Sequence, residues 1–220
     1  MAKKKVVIFG VMDTAELAHF YLVHDSDCEV VAFTVHREYL KTTAFRGLPV
    51  VAFEDVQDIY PPGEFHFFAP MTAKKMNTLR EKVYNDAKAK GYPFISYISS
   101  RASTFRNEIG ENCFILEDNT IQPFTSIGNN VVLWSGNHIG HHGRIDDHVF
   151  FTSHVVLSGH CHVHSYSFFG VNATIRDYTS LAKGTLVGMA ASITRDTEEW
   201  GVYTGNPAKK KENTNSIDVY

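Results

Sequence analysis

The chain has 220 residues, 44% of them hydrophobic, and a net charge of −3, which suffices for one large or two small domains with real cores. The near-neutral balance excludes a basic nucleic-acid surface, and apolar runs far shorter than a bilayer span exclude membrane insertion. Lys3, Lys4 and Lys5 precede only VVIFG, too short for a signal-peptide core, and Cys28, Cys113 and Cys161 form no CxxC pair, so a cytoplasmic protein with free thiols is expected.

From the N-terminus, KVVIFG (5–10) reads as a strand ending at Gly10, and MDTAELAHFYLVH (12–24) as a helix from the apolar spacing of Ala15, Leu17, Ala18, Tyr21 and Leu22. EVVAFTV (29–35), LPVVAF (48–53) and FHFFAP (65–70) read as further strands, 72–91 as a helix stopped by Gly91, and YPFISYI (92–98) as a fifth strand. Strands alternating with helices predict a parallel sheet, a Rossmann-like α/β unit over residues 1–100. Its first turn, Gly10-Val11-Met12-Asp13-Thr14-Ala15, fails as a dinucleotide fingerprint. Met12 occupies a glycine position where a pyrophosphate must approach the backbone, so NAD chemistry is rejected. Gly10 and Asp13 at this turn, with His36 and Arg37 after the second strand, lie where such a sheet opens its ligand crevice; the other reading has Asp13 capping the helix and His36 and Arg37 solvated.

From residue 101 to 220 the rhythm changes. Stepping by six from Ile109 through Ile115, Ile121, Ile127, Leu133 and Ile139 to Ile193 meets a large apolar residue at all fifteen positions, and the residue four further on is mostly small. Neither a helical period nor strand alternation gives this pattern; a six-residue repeat is the signature of a parallel β-helix. Three hexads make one triangular coil, so fifteen hexads predict five coils, with the large residue pointing inward. The closing residues ENTNSIDVY (212–220) are polar and predicted to be loose.

The hexads, IGHHGRI at 139–145 with LSG at 157–159, and YTGNPAKK at 203–210 together resemble the left-handed β-helix (hexapeptide-repeat) acyltransferases. With the Rossmann-like front half, the chain is similar to their nucleotide-amino-sugar acetyltransferase and sialic acid O-acetyltransferase-like subgroup. The resemblance implies an N-acetyltransferase using acetyl-CoA as co-substrate and a nucleotide-linked amino sugar as acceptor, with no metal. It implies His141, third in its hexad, as general base. It also implies Gly159, one eighteen-residue coil later, as the backbone N–H that holds the thioester oxygen. His142 stands where relatives often carry an acidic residue that orients the base, with Asp146 or Asp147 as substitutes. Lys209 is implied as a contact to a coenzyme A phosphate, and the N-terminal domain as the holder of the sugar nucleotide. Acyl-CoA lies between adjacent prisms in the family, so a homotrimer is implied. The same residues would serve O-acetylation, and a non-catalytic scaffold is the third possibility.

Eight of twelve histidines fall between 137 and 164, which invites a metal. His142, His148, His154 and His160 share the fourth hexad position, only His142 and His160 being stacked, while His138 and His162 are sixth and His164 second. Carbonic anhydrases of the γ class share this architecture and bind zinc through histidines five residues apart. No histidine pair at that spacing is expected anywhere in the chain, and so no metal site.

Overall fold

The structure, a computed structural model, describes residues 3–220. The chain divides into two compact units, residues 1–72 with 82–97, and residues 73–81 with 98–220.

In the first unit, β1 (Lys4–Phe9), α1 (Asp13–His24), β2 (Cys28–Val35), β3 (Ala44–Phe45), β4 (Leu48–Ala52), α2 (Val56–Ile59) and β5 (His66–Phe68) build a sheet of order β3-β4-β2-β1-β5. All its pairs are parallel except the short β3–β4 hairpin. Val6, Val7 and Ile8 of β1 are wholly buried, as a central strand covered on both faces requires. The predicted fifth strand joins this sheet only through a single bridge, Phe94 to Phe67. The helix expected over 72–91 runs from Thr78 to Ala89. Lys75, Met76 and Asn77 before it have φ values of 54°, 47° and 68°, a left-handed run that no helix can include.

The second unit is the parallel β-helix. Fourteen two-residue strands run from Phe114–Ile115 to Ser192–Ile193, and each of the first eleven pairs with the strand eighteen residues on. The first residue of every hexad from Ile115 to Ile193 is at most 3% exposed. These side chains fill the prism as one apolar column. The small fifth residues are buried too, and where polar they satisfy corner carbonyls. Asn119 Nδ2 donates to the carbonyls of Leu116 and Trp134 at 2.9 Å, and Thr125 Oγ1 to that of Gly140 at 2.6 Å. A buried amide or hydroxyl is tolerated only on such terms.

The fourth hexad position has a property the hexad pattern does not announce: it is left-handed. Asn112, Asp118, Phe124, Asn130, His142, His148, His154, His160, Tyr166, Asn172, Tyr178 and Ala190 all have φ between 54° and 67°. Asn, Asp and His tolerate this region better than most residues. Half of the histidine cluster is therefore turn-forming.

The C-terminus departs from expectation. Residues 212–220 are ordered: strand Lys209–Asn215 runs antiparallel to strand Gly201–Thr204, and helix Ser216–Val219 follows. Ser216 Oγ donates to the Gly184 carbonyl at 2.6 Å, and the Tyr220 ring packs on Phe168 with centroids 4.2 Å apart. Polar sequence alone hid a segment held by backbone pairing and one aromatic anchor.

His148 couples this unit to pH. It is 8% exposed, and Asn130 Nδ2 donates to its Nδ1 at 2.9 Å, so its proton sits on Nε2. Burial pushes its pKa below the ordinary value, against the pull of Glu81 and Asp147. Burial also lowers His19 and His66. A depressed histidine pKa leaves stability intact above the unfolded value of about 6.5 and removes it as pH falls below, because only the unfolded chain takes up the proton. The melting temperature should drop between about pH 7 and about pH 5, and a His148→Gln variant should show a shallower slope in the same series.

Candidate active site

The candidate site is built at one corner of the coils. Ile139 points inward, Gly140 follows, and His141 emerges at the third position before the left-handed turn at His142. The His141 N–H donates to Gln122 Oε1 at 3.1 Å. One coil on, a Cβ added to Gly159 would lie 2.9, 3.0 and 3.2 Å from His141 Cε1, Nε2 and Nδ1. The imidazole therefore lies against Gly159, and glycine is the residue that leaves it room. Among the described residues no protein acceptor takes the Gly159 N–H. Two other third-position amides, those of Glu111 and Asn129, donate to Asn129 Oδ1 and Asp147 Oδ1 at 3.0 and 2.6 Å, while those of Ser135, Ser153 and Asp177 likewise meet no protein acceptor among the described residues.

His141 Nδ1 and His142 Nδ1 are 3.0 Å apart. One proton between two imidazole nitrogens makes a hydrogen bond, so with the proton on His141 the free lone pair is on its Nε2. His142 itself thus partners the candidate base, His141. Neither acidic substitute does: Asp146 accepts from Arg144 Nε at 2.7 Å and contacts His162 Nε2 at 3.0 Å, while Asp147 accepts from the Asn129 amide. His142 is held in turn. Its ring is near-parallel to His160 (5.0 Å, 11°), His160 stacks on Tyr178 (4.5 Å, 4°), and Phe124 packs on the other side of His142 at 4.7 Å. This four-ring ladder occupies left-handed fourth positions 124, 142, 160 and 178, one per coil. The stacking of His142 and His160 follows from the eighteen-residue register; the flanking Phe124 and Tyr178 lie at the same spacing and were legible by the same step.

In the other unit, Gly10 has φ 111°, and its N–H donates to the Thr34 carbonyl at 2.8 Å. It thus ties together the C-terminal ends of β1 and β2. Met12, not Asp13, is the N-cap of α1, and no side chain caps it; Asp13 is the first helical residue. His36 is not simply solvated: its ring packs edge-on against Phe9 and Phe53, and Nδ1 lies 3.3 Å from Glu54 Oε1. Arg37 is paired with Asp55 at 2.6 and 2.7 Å. Lys209 opens the strand antiparallel to Gly201–Thr204 and is exposed. The histidine spacing of five does occur once, between His19 and His24 on α1, outside the hexads.

A groove of about 790 Å³ lies on the face carrying Ser126, Ile127, Arg144 and Ile145, with Glu108, Asn129, Asp146 and Asp147 on its walls. His141 and Gly159 do not line it. The candidate catalytic pair sits instead at an open corner.

The pattern of the bacterial transferase hexapeptide (six repeats) matches residues 108–141. In structure the chain is similar to perosamine N-acetyltransferase from Caulobacter crescentus, a mutant solved with CoA and GDP-perosamine (TM-score 0.84, 22% identity, 95% of this chain and 97% of that one). The fold is that of the left-handed β-helix transferases. It is also similar to the acetyltransferase domain of PglB from Neisseria gonorrhoeae (TM-score 0.84, 19% identity, 95% of this chain and all of that one), which has been solved with acetyl coenzyme A as well. In sequence, 106 residues are 27% identical to the acyl-[acyl-carrier-protein]–UDP-N-acetylglucosamine O-acyltransferase of Sinorhizobium fredii. That match spans 45% of this chain and 39% of the relative. The expected resemblance thus holds at the level of fold. Among the described residues no helix is long and apolar enough to cross a membrane.

Proposed function

We propose that the protein is a cytoplasmic, acetyl-CoA-dependent N-acetyltransferase acting on a nucleotide-linked amino deoxysugar. The observation that carries this reading is the His141 imidazole lying against Gly159, whose amide has no protein acceptor among the described residues. Acetyl transfer from a thioester needs a proton acceptor and an oxyanion donor within one substrate's reach, and no protein nucleophile, because the thioester is already activated.

The amine nitrogen attacks the thioester carbonyl carbon and forms the N–C bond, while the carbonyl oxygen takes negative charge and accepts from the Gly159 N–H. His141 Nε2 takes the amine proton, and the imidazolium is stabilised by the Nδ1–H bond to His142. Collapse breaks the C–S bond, and the proton passes to the departing thiolate, giving the amide and free coenzyme A. A hydrogen bond to neutral His142 is weaker than one to a carboxylate. The ring ladder compensates in position though not in charge.

The first unit, read as a Rossmann-like domain, would hold the nucleotide at the C-terminal ends of β1 and β2, where Gly10, Asp13 and His36 lie. Arg37 would reach a phosphate only after leaving Asp55. Lys209 is assigned to a coenzyme A phosphate, and a homotrimer completes the acyl-CoA site. Titration calorimetry should show acetyl-CoA and a GDP-, UDP- or dTDP-linked amino sugar binding to the same preparation, trimeric in sedimentation. Failure of every sugar nucleotide to bind, or a monomer that binds acetyl-CoA normally, contradicts the reading. Transfer to a sugar hydroxyl is the second reading, favoured by the O-acyltransferase among the sequence relatives.

A further inference from the structure

Outside the candidate acetyl-transfer corner, three metal-ligating side chains converge. Asp146 Oδ2 lies 3.0 Å from His162 Nε2 and 3.3 Å from His164 Nδ1, and the two imidazole centroids are 3.8 Å apart. The three ligand atoms all fall within 4.8 Å of one another. The fold makes this meeting inevitable. Strand His162–Val163 pairs with strand Arg144–Ile145 directly beneath it, so His164 stands one eighteen-residue coil above Asp146. Val163 points inward, and strand alternation sends His162 and His164 outward on either side of it.

We propose that Asp146, His162 and His164 form a binding site for a divalent transition-metal ion of the zinc type. Zinc sits about 2.0–2.2 Å from nitrogen and oxygen ligands, so neighbouring ligand atoms of a tetrahedral site are about 3.3 Å apart. Both carboxylate–imidazole separations match that edge. Without a cation, one carboxylate oxygen faces two imidazole nitrogens, and each must carry a proton there to avoid opposing lone pairs. A divalent ion replaces both protons at once. The supporting contacts are those of a ligand set. Arg144 Nε holds the other carboxylate oxygen at 2.7 Å, and Ser180 Oγ lies 3.4 Å from His164 Nε2, leaving Nδ1 to the metal. The Arg144 charge opposes a cation only weakly, since its side chain is 68% exposed and screened. Two imidazoles and one carboxylate suit zinc, nickel or cobalt better than magnesium or calcium. Three protein ligands leave a further position open, beside the groove that Asp146 and Arg144 line.

A second trio, His141, His142 and His160, meets the same distance criterion. All three residues are exposed, they lack a carboxylate, and they belong to the candidate acetyl-transfer corner, so the test must separate the two. Zn²⁺ alone is titrated into the full chain by calorimetry, and Co²⁺ absorption reports the coordination geometry. One equivalent should bind wild type and His141→Ala alike. Binding should weaken by about 100-fold or more in a His162→Gln/His164→Gln variant, and by about 10–100-fold in Ser180→Ala. Asp146→Asn serves as an independent single change should the double variant fold poorly. Loss of binding in His141→Ala with retention in the double variant would place the ion at the other trio, and no binding by wild type would leave a hydrogen-bonded triad; either outcome overturns the proposal.

Discussion

His141→Ala is expected to lower the turnover number by about 10²–10⁴-fold while leaving the Michaelis constants nearly unchanged. The imidazole occupies the solvent side of Gly159, with Nδ1 committed to His142. Its loss removes the proposed proton acceptor and leaves the Gly159 amide in place. Transition-state stabilisation from an oxyanion donor, worth roughly 3–4 kcal/mol when lost, should therefore persist and leave residual activity. The fold should be untouched, because His141 is exposed and its backbone contact to Gln122 does not involve the ring. Steady-state kinetics with a melting curve on the same sample checks this. Turnover unchanged by the substitution would move the base to another group.

Phe169→Ala should carry the largest cost in stability, about 3–5 kcal/mol. Phe169 is wholly buried on the prism axis and stacks on Phe151 one coil earlier, with centroids 4.2 Å apart and planes within 15°. Truncation removes the ring, opens a cavity that backbone pairing on three sides prevents from collapsing, and strips Phe151 of its stack, itself worth about 0.5–1.5 kcal/mol. Each coil touches only its neighbours, so the damage falls on the Val163, Val187 and Phe151 layers together. Thr174→Ala, on an outward exposed position, should stay within about 0.5 kcal/mol. Denaturant midpoints for the two variants distinguish them; equal shifts would mean the column does not hold the coils.

What was legible in the sequence follows from what each position must do. The inward residue of a hexad has one requirement, a large apolar side chain, and it repeats without interruption from Ile109 to Ile193. Such a signal survives any surface variation. The fourth position has a backbone requirement instead, and His, Asn, Asp, Tyr, Phe and Ala all meet it here, so it reads as variety. That is why a crowd of histidines resembles a metal site when half of it forms turns. The pairing of His141 with Gly159 was legible because eighteen residues make a coil. The same arithmetic joins Asp146 to His164, but a search by histidine spacing passes over a carboxylate. The tail and the start of the Thr78–Ala89 helix were opaque: both depend on contacts made far along the chain, such as the Met76 N–H donating to the Tyr220 carbonyl at 3.1 Å.

Release of free coenzyme A thiol from acetyl-CoA, followed with a panel of GDP-, UDP- and dTDP-linked amino sugars and their hydroxyl counterparts, tests the central claim most directly. The account predicts turnover with an amino sugar nucleotide, an acetamide in the product, and loss of that turnover in His141→Ala. Thiol release with hydroxyl sugars only, or none with any acceptor while acetyl-CoA still binds, would contradict it.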